Sequence, residues 1–149
     1  MEIKIRKGVK TDLPSVLKLI KELADYENAK DQVTITLDNL EHDGFGQNPW
    51  YWFLVAEKED EIVGLSFYWI RYSTWKGKFL FLEDFVIKEK FRRRGIGSQL
   101  FEETIKIPAT LNNIEFSDML PGNYQLAIAT TDTTGTTGRR SEALMLIIN

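Results

Sequence analysis

The sequence predicts an α/β protein in which a mixed, mainly antiparallel sheet is flanked by helices. Three observations predict it. The chain opens with a strand pattern that passes at once into an amphipathic helix pattern; three strand patterns then follow one another through short turns; and the third runs through an arginine-glycine loop into another helix. At 149 residues the chain has the size of one domain, or of one domain with an appendage.

The elements follow in order. EIKIR (2–6) alternates as a strand, and TDLPSVLKLIKELADYE (11–27) offers Thr11 or Asp12 as an N-cap with Leu13, Val16, Leu17, Ile20 and Leu23 on one stripe. A short second helix is expected over TLDNLEHDG (36–44), capped by Thr36 and stopped by Gly44. WFLVAEK (52–58) and EIVGLSFYWIR (61–71) flank a tight Glu-Asp turn and read as a hairpin; KFLFLEDFVI (78–87) adds a third antiparallel strand after STWKG. A helix is expected from about Gly97 to Ile107. Beyond Ile107 the composition changes: all twelve lysines and all four tryptophans precede Pro108, whereas seven of the twelve threonines follow it. Such a step marks a boundary, giving a 1–107 core and a 108–149 segment that reads as strands only: NIEF, NYQLAIATT, a polar turn, and EALMLIIN. That segment is too short to bury a core alone and must pack on the core, pair with another chain or be a fragment of something larger.

Composition excludes several classes. A net charge of -3 argues against a general polyanion binder, so no nucleic-acid partner is expected. With no cysteine there is no disulfide, thiolate metal site or cysteine nucleophile, and a single histidine leaves no zinc cluster, so no metal is expected. MEIKIRKGVK has no apolar stretch behind its charges, and no run of about eighteen apolar residues occurs, which points to a cytoplasmic protein with no membrane partner. His42, read in a polar loop, is expected to be an exposed bystander, and the tryptophans at 50, 52, 69 and 75 to make core or dimer contacts.

The stretch RRRGIGSQL (92–100) concentrates charge in a slightly acidic chain. A strand ending at FVI that re-enters a helix after Gly-x-Gly leaves backbone N–H groups aimed outward at the helix start, an arrangement suited to an anion. Gly95 and Gly97 let the backbone approach a phosphate, and Arg92, Arg93 and Arg94 supply charge for a diphosphate. A solvated loop with a plain glycine turn accounts for the same letters, and both readings stand at this point.

R92-x-x-G95-x-G97, behind a strand and opening a helix, resembles the acetyl-CoA pyrophosphate loop of the GNAT acetyltransferases. IKELADYE (20–27), DQVTIT (31–36), HDGFG (42–46), LVAE (54–57), IVG (62–64) and KFLFLEDFVI (78–87) extend the likeness to the spermidine/spermine (diamine) branch, which also holds thialysine acetyltransferases. The resemblance runs from Ile5 to about Ile105. It implies direct transfer of acetyl from acetyl-CoA to a primary amine of a polyamine or thialysine-like substrate, and a homodimer. It implies that the main-chain groups of Phe85, Val86 and Ile87 face the pantetheine arm, and that Arg92, Arg93, Arg94, Gly95, Ile96, Gly97 and Ser98 hold the pyrophosphate. It places Tyr26 and Glu27 near the amine and makes Glu83 the carboxylate that relays the amine proton. These roles suit the chemistry: an amine is protonated at neutral pH and needs a base to uncover its lone pair. Against this, Glu83 reads equally as a strand residue paired with a neighbouring lysine or arginine, and Tyr26 and Glu27 as a solvated helix end.

The likeness breaks after Ile107. The family's further strand, helix and final hairpin, its Asn-Glu-Pro block and its thiolate-protonating tyrosine have no counterpart, and Tyr124 lacks the surrounding motif. FSDMLPGNYQLAIATTDTTGTTGRRSEALMLIIN (116–149) instead resembles the closing strands of the immunoglobulin-like Y_Y_Y sensor module, which suggests a chimera. Two functions compete: an amine acetyltransferase, and a non-catalytic chimeric protein that keeps a CoA-phosphate loop. The shortened sheet would expose the edge of the 78–87 strand, so 123–131 or 142–149 is expected to pair with it or to extend the sheet.

Overall fold

A computed structural model describes residues 2–75, 77–107, 124–127 and 145–148. Strand β1 (Lys4–Lys7) leads into helix α1 (Leu13–Tyr26) and helix α2 (Leu37–Phe45). Strands β2 (Trp52–Lys58), β3 (Glu61–Ser73) and β4 (Gly77–Ile87) form a meander, and helix α3 (Ile96–Lys106) follows. Two short strands, β5 (Tyr124–Ala127) and β6 (Met145–Ile148), complete the described elements. The sheet runs β1-β2-β3-β4-β6-β5, and every described pairing is antiparallel. The expected α/β class, an antiparallel sheet flanked by helices, is the fold observed. The NIEF segment lies outside the described residues.

Local chemistry accounts for the boundaries. Asp12 is the N-cap residue of α1, but its carboxylate turns backward to accept from the Val9 N–H (2.8 Å) and from both terminal nitrogens of Arg6 (2.7 and 2.9 Å). Arg6 also binds Glu57 at 2.5 Å, which joins β1, the helix entry and β2 in one ionic knot. On α1, Leu13, Val16, Leu19 and Ile20 are buried, with Leu17 and Leu23 half-buried beside them. Leu19, absent from the expected stripe, is fully buried because it borders Val16 and Leu23 on the same apolar face, which is wider than that stripe. Thr36 caps α2 reciprocally with Asn39, but α2 ends at Phe45 against Gly46 rather than at Gly44. Gly44 is instead a packing glycine, since a Cβ there would lie 2.2 Å from the Tyr51 ring. His42 stands on α2 rather than in a loop, exposed and beside Asp43.

The β2–β3 hairpin turns through Glu59 and Asp60, both left-handed with φ of 50° and 63°, the geometry of a primed two-residue turn. Between β3 and β4 the register shifts: Phe67 faces Asp84 whereas Tyr68 faces Leu82, so Glu83 is the extra residue of a β-bulge. Because side chains alternate along a strand, one extra residue exchanges the faces of everything beyond it. Before the bulge, Leu80 and Leu82 point to the α3 side; after it, Val86 joins the α1 and α2 side while Phe85 and Ile87 lie with α3. Helix α3 is fixed to β3 by a buried relay in which Ser66 Oγ donates to Thr104 Oγ1 (2.8 Å), which donates to the Leu100 carbonyl (2.7 Å).

The expected capping of the β4 edge is observed. β6 pairs with β4, placing Met145 opposite Phe81, and β5 extends the sheet beyond β6. Of the tryptophans, Trp52 and Trp69 are half-buried on the core, whereas Trp50 and Trp75 are exposed and belong to no core cluster. No helix among the described residues is long and apolar enough to cross a membrane.

Candidate functional site

The arginine-glycine loop is built between two anchors. Lys88 N–H donates to the Val63 carbonyl (2.9 Å), the chain makes one tight turn over Glu89–Phe91, and buried Phe91 and Ile96 seat the loop and the first residue of α3 in one apolar cluster. Between them Arg93 (φ 61°) and Gly95 (φ 77°) are left-handed, a backbone that turns successive N–H groups toward one side. The first hydrogen bond into α3 runs from Gln99 N–H to the Gly95 carbonyl (3.1 Å), so the N–H groups of Ile96, Gly97 and Ser98 precede the helical ladder. They share the positive end of the helix dipole.

Gly95 is required by its φ. Gly97 is not: a Cβ there would meet only Ile87 and Phe85 side chains, at 3.7 and 3.9 Å, which is ordinary contact. Neither backbone strain nor packing among the described residues calls for glycine at 97, whereas an anion lying against the helix start would. Among the described residues none of Arg92, Arg93 and Arg94 is paired with a carboxylate, and all three are exposed. The guanidinium of Arg94 lies 5.9 Å from the Phe91 ring centre. Arg92 is turned elsewhere: its Nε donates to the Ile87 carbonyl (2.9 Å), and its guanidinium sits 5.4 Å from the Tyr26 ring.

The Lys88 bond to Val63 fixes which main-chain groups face which way. By antiparallel alternation Val86 also turns its N–H and C=O toward β3, whereas Phe85 and Ile87 turn theirs to the outer edge of β4. The edge expected to offer three residues therefore offers two, with Val86 serving as core. The described ladder to β6 meets β4 at Phe81 and leaves that stretch without a strand neighbour among the described residues.

Glu83, at the bulge, is half-buried and accepts from the Trp69 indole N–H at 3.0 Å. Among the described residues the Trp69 indole is thus a hydrogen-bond donor to this carboxylate. Trp69 packs on the α1 and α2 core cluster, which places Glu83 on that face, and its ring lies 5.1 Å from that of Phe81. Tyr26 and Glu27 end α1, both exposed, with Tyr26 brought to the loop by Arg92. The structure therefore joins the loop, the outer edge of β4 and the end of α1. Ile96 contributes through its backbone, since its side chain is buried.

Trp69 and Arg71 were not singled out by sequence reasoning as site residues. Their signal was strand alternation, which puts both on the face of Phe79, Phe81 and Glu83. A groove of about 370 Å³ along the outer side of α1, lined by Pro14, Leu17, Lys18, Lys21 and Asp25 among others, shares no residue with this site. Among the described residues no group of three or more metal-ligating side chains gathers.

A sequence profile described as "Acetyltransferase (GNAT) family" matches residues 16–123, past the boundary expected at Ile107. Thialysine N-epsilon-acetyltransferase of Bos taurus is 39% identical over 113 residues, covering 70% of this chain and 66% of that protein. Spermidine/spermine N(1)-acetyltransferase-like protein 1 of Homo sapiens is 38% identical over 113 residues, covering 71% of this chain and 16% of that protein. The chain thus spans just under two thirds of the bovine relative. Among solved structures, aminoglycoside N-acetyltransferase AAC(6')-Iy in complex with CoA shares the fold with a TM-score of 0.57 and 23% identity, over 73% of this chain and 70% of that one. An aminoglycoside acetyltransferase from an uncultured soil metagenomic sample, in complex with sisomicin, gives 0.59 and 16%, over 90% and 97%.

Proposed function

The chain belongs to the acetyltransferase (GNAT) family, and from that premise we propose that it transfers an acetyl group from acetyl-CoA directly to a primary amine of a polyamine or thialysine-like substrate. The observation that carries the reading is the loop at the start of α3. Three arginines with no carboxylate partner among the described residues precede a helix N-terminus whose Gly97 nothing in the described fold requires. That donor set fits a diphosphate: the N–H groups of Gly95, Ile96, Gly97 and Ser98 would hold its oxygens, and Arg93 and Arg94 would supply the countercharge. Arg92 supports the loop from the side through Ile87 and Tyr26.

Acetyl-CoA supplies the activated acetyl thioester. The main-chain groups of Phe85 and Ile87 on the outer edge of β4 would orient its pantetheine arm beside α3. The Glu83 carboxylate receives the proton of the incoming ammonium, directly or through water, which frees the nitrogen lone pair for attack. Tyr26 and Glu27 lie where the loop meets the end of α1 and would meet the amine's remaining length. No residue is assigned to protonate the departing thiolate, which is itself a tolerable leaving group. The homodimer implied by the resemblance and the cytoplasmic location expected from the absence of a long apolar run belong to this proposal.

The test is thiol release from acetyl-CoA, followed with a thiol reagent in the presence of spermidine or thialysine; the cysteine-free chain adds no background. Amine-dependent release that falls at least about tenfold in Gly97→Glu and in Arg94→Ala is expected. Release that ignores both variants, or none from folded protein, would overturn the reading.

A further inference from the structure

The face of the sheet that carries Glu83 also carries a cation. Trp69 and Arg71 are two residues apart on β3 and so share a face, with Phe81 opposite Trp69 and Phe79 opposite Arg71. The Arg71 guanidinium lies 5.5 Å from the Phe81 ring and 6.0 Å from the Phe79 ring. It therefore leans diagonally, past the residue directly opposite, toward the Trp69 end of the face, where the indole holds Glu83. Arg71 is exposed, and among the described residues it is paired with no carboxylate.

A cation resting on aromatic rings of the face that carries Glu83 makes, with that carboxylate, a two-point charge pattern. A polyamine presents positive charge along its whole length and would be repelled by Arg71 wherever it extends along this face. A side-chain amine of an amino acid presents a carboxylate roughly 7 Å from its terminal nitrogen when extended. Guanidinium recognises that group through paired hydrogen bonds.

We infer that Arg71 is a carboxylate-recognition residue of the acceptor site, and that the amine acetylated by this chain carries a carboxylate instead of being a polyamine. The inference rests on the acetyltransferase reading and narrows its substrate class.

The test compares thialysine with its decarboxylated counterpart, bis(2-aminoethyl) sulfide, which differs only by the carboxylate, and adds spermidine. Steady-state thiol release gives kcat/KM for each, and titration calorimetry with CoA present gives binding without turnover. The full chain should prefer thialysine by about tenfold or more. Arg71→Gln should abolish most of that preference through the thialysine KM, Arg71→Lys should restore part of it, and the diamine values in the same variants report the integrity of the fold. Equal or better use of the diamine or spermidine by the unaltered chain, or an unchanged ratio in Arg71→Gln, overturns the inference. If nothing turns over but calorimetry shows the preference and its loss in Arg71→Gln, carboxylate recognition stands and acetyl transfer falls. If neither amine binds, both fall.

Discussion

Arg6 and Arg94 carry the same charge and are put to opposite uses. Arg6 is spent within the fold, held by Asp12 and Glu57, and its guanidinium keeps the Asp12 carboxyl below the ordinary aspartate value, with the Val9 N–H adding to the effect. Because the folded pKa is the lower one, this stabilisation is complete above the unfolded value near pH 4 and is lost as pH falls through the folded one. Asp12→Asn should therefore lower stability at pH 7 by about 2 kcal/mol and flatten the acid limb below about pH 4, read by urea unfolding across pH. Arg94 has no such partner among the described residues, so Arg94→Ala should leave the urea midpoint nearly unchanged while weakening CoA binding. At the bulge, Glu83→Gln should lower kcat about a hundredfold with little change in the acetyl-CoA KM. Trp69→Phe, which removes only the indole donor, should lower kcat in the same direction by less. A Glu83→Gln enzyme with undiminished kcat would dismiss the carboxylate from proton transfer. Arginines beside glycines were plain in the sequence. Which of them answers to Tyr26 and Ile87 was not, because that choice depends on a helix end some sixty residues away in the chain.

Helix α2 shows how an element can be placed correctly and ended wrongly. Thr36 and Asn39 announce its start, and Gly44 looks like its stop, yet the helix passes through Gly44 because Tyr51 lies across that backbone. Tyr51 is buried, donates its hydroxyl to the Leu40 carbonyl, and stacks on Phe67 at 4.4 Å; burial pushes its own pKa up to about 12. Gly44→Ala would gain about 1 kcal/mol of helix propensity on an exposed helix. Here the new methyl meets the ring, and the overpacking cost of about 1–3 kcal/mol should win, giving a lower Tm. A raised Tm would show that the ring gives way freely. The strands were legible for a different reason: β2 was read at its true limits, and β3 and β4 to within a residue or two, since alternation needs no partner to be seen. The bulge was not legible. An extra residue leaves no mark in a single strand, and is defined only by the register of its neighbour.

At the scale of the molecule, the sheet is extended by strands remote in sequence. β6 lies against β4 at Phe81, so the edge left open by a chain ending at Ile107 would have to be covered from outside. Protein cut at that point should associate more than the full chain at equal concentration, seen as earlier elution in size-exclusion chromatography with light scattering. A truncation that associates no more than the full chain would show that β4 protects itself. That strands would follow the core, and that one would reach β4, followed from alternation and from the unpaired edge; β5 and β6 are the two that are described. The bulge has a further consequence for how such a molecule can diverge. By exchanging faces at Glu83, it makes one strand serve two chambers: Phe79 and Phe81 lie on the face of Trp69 and Glu83, Phe85 and Ile87 on the side of α3. Replacements in one stretch leave the other's packing partners untouched. If the proposed site is right, the preference for an acceptor can drift under selection through positions such as 69, 71, 79 and 81, while the grip on the shared donor is inherited unchanged.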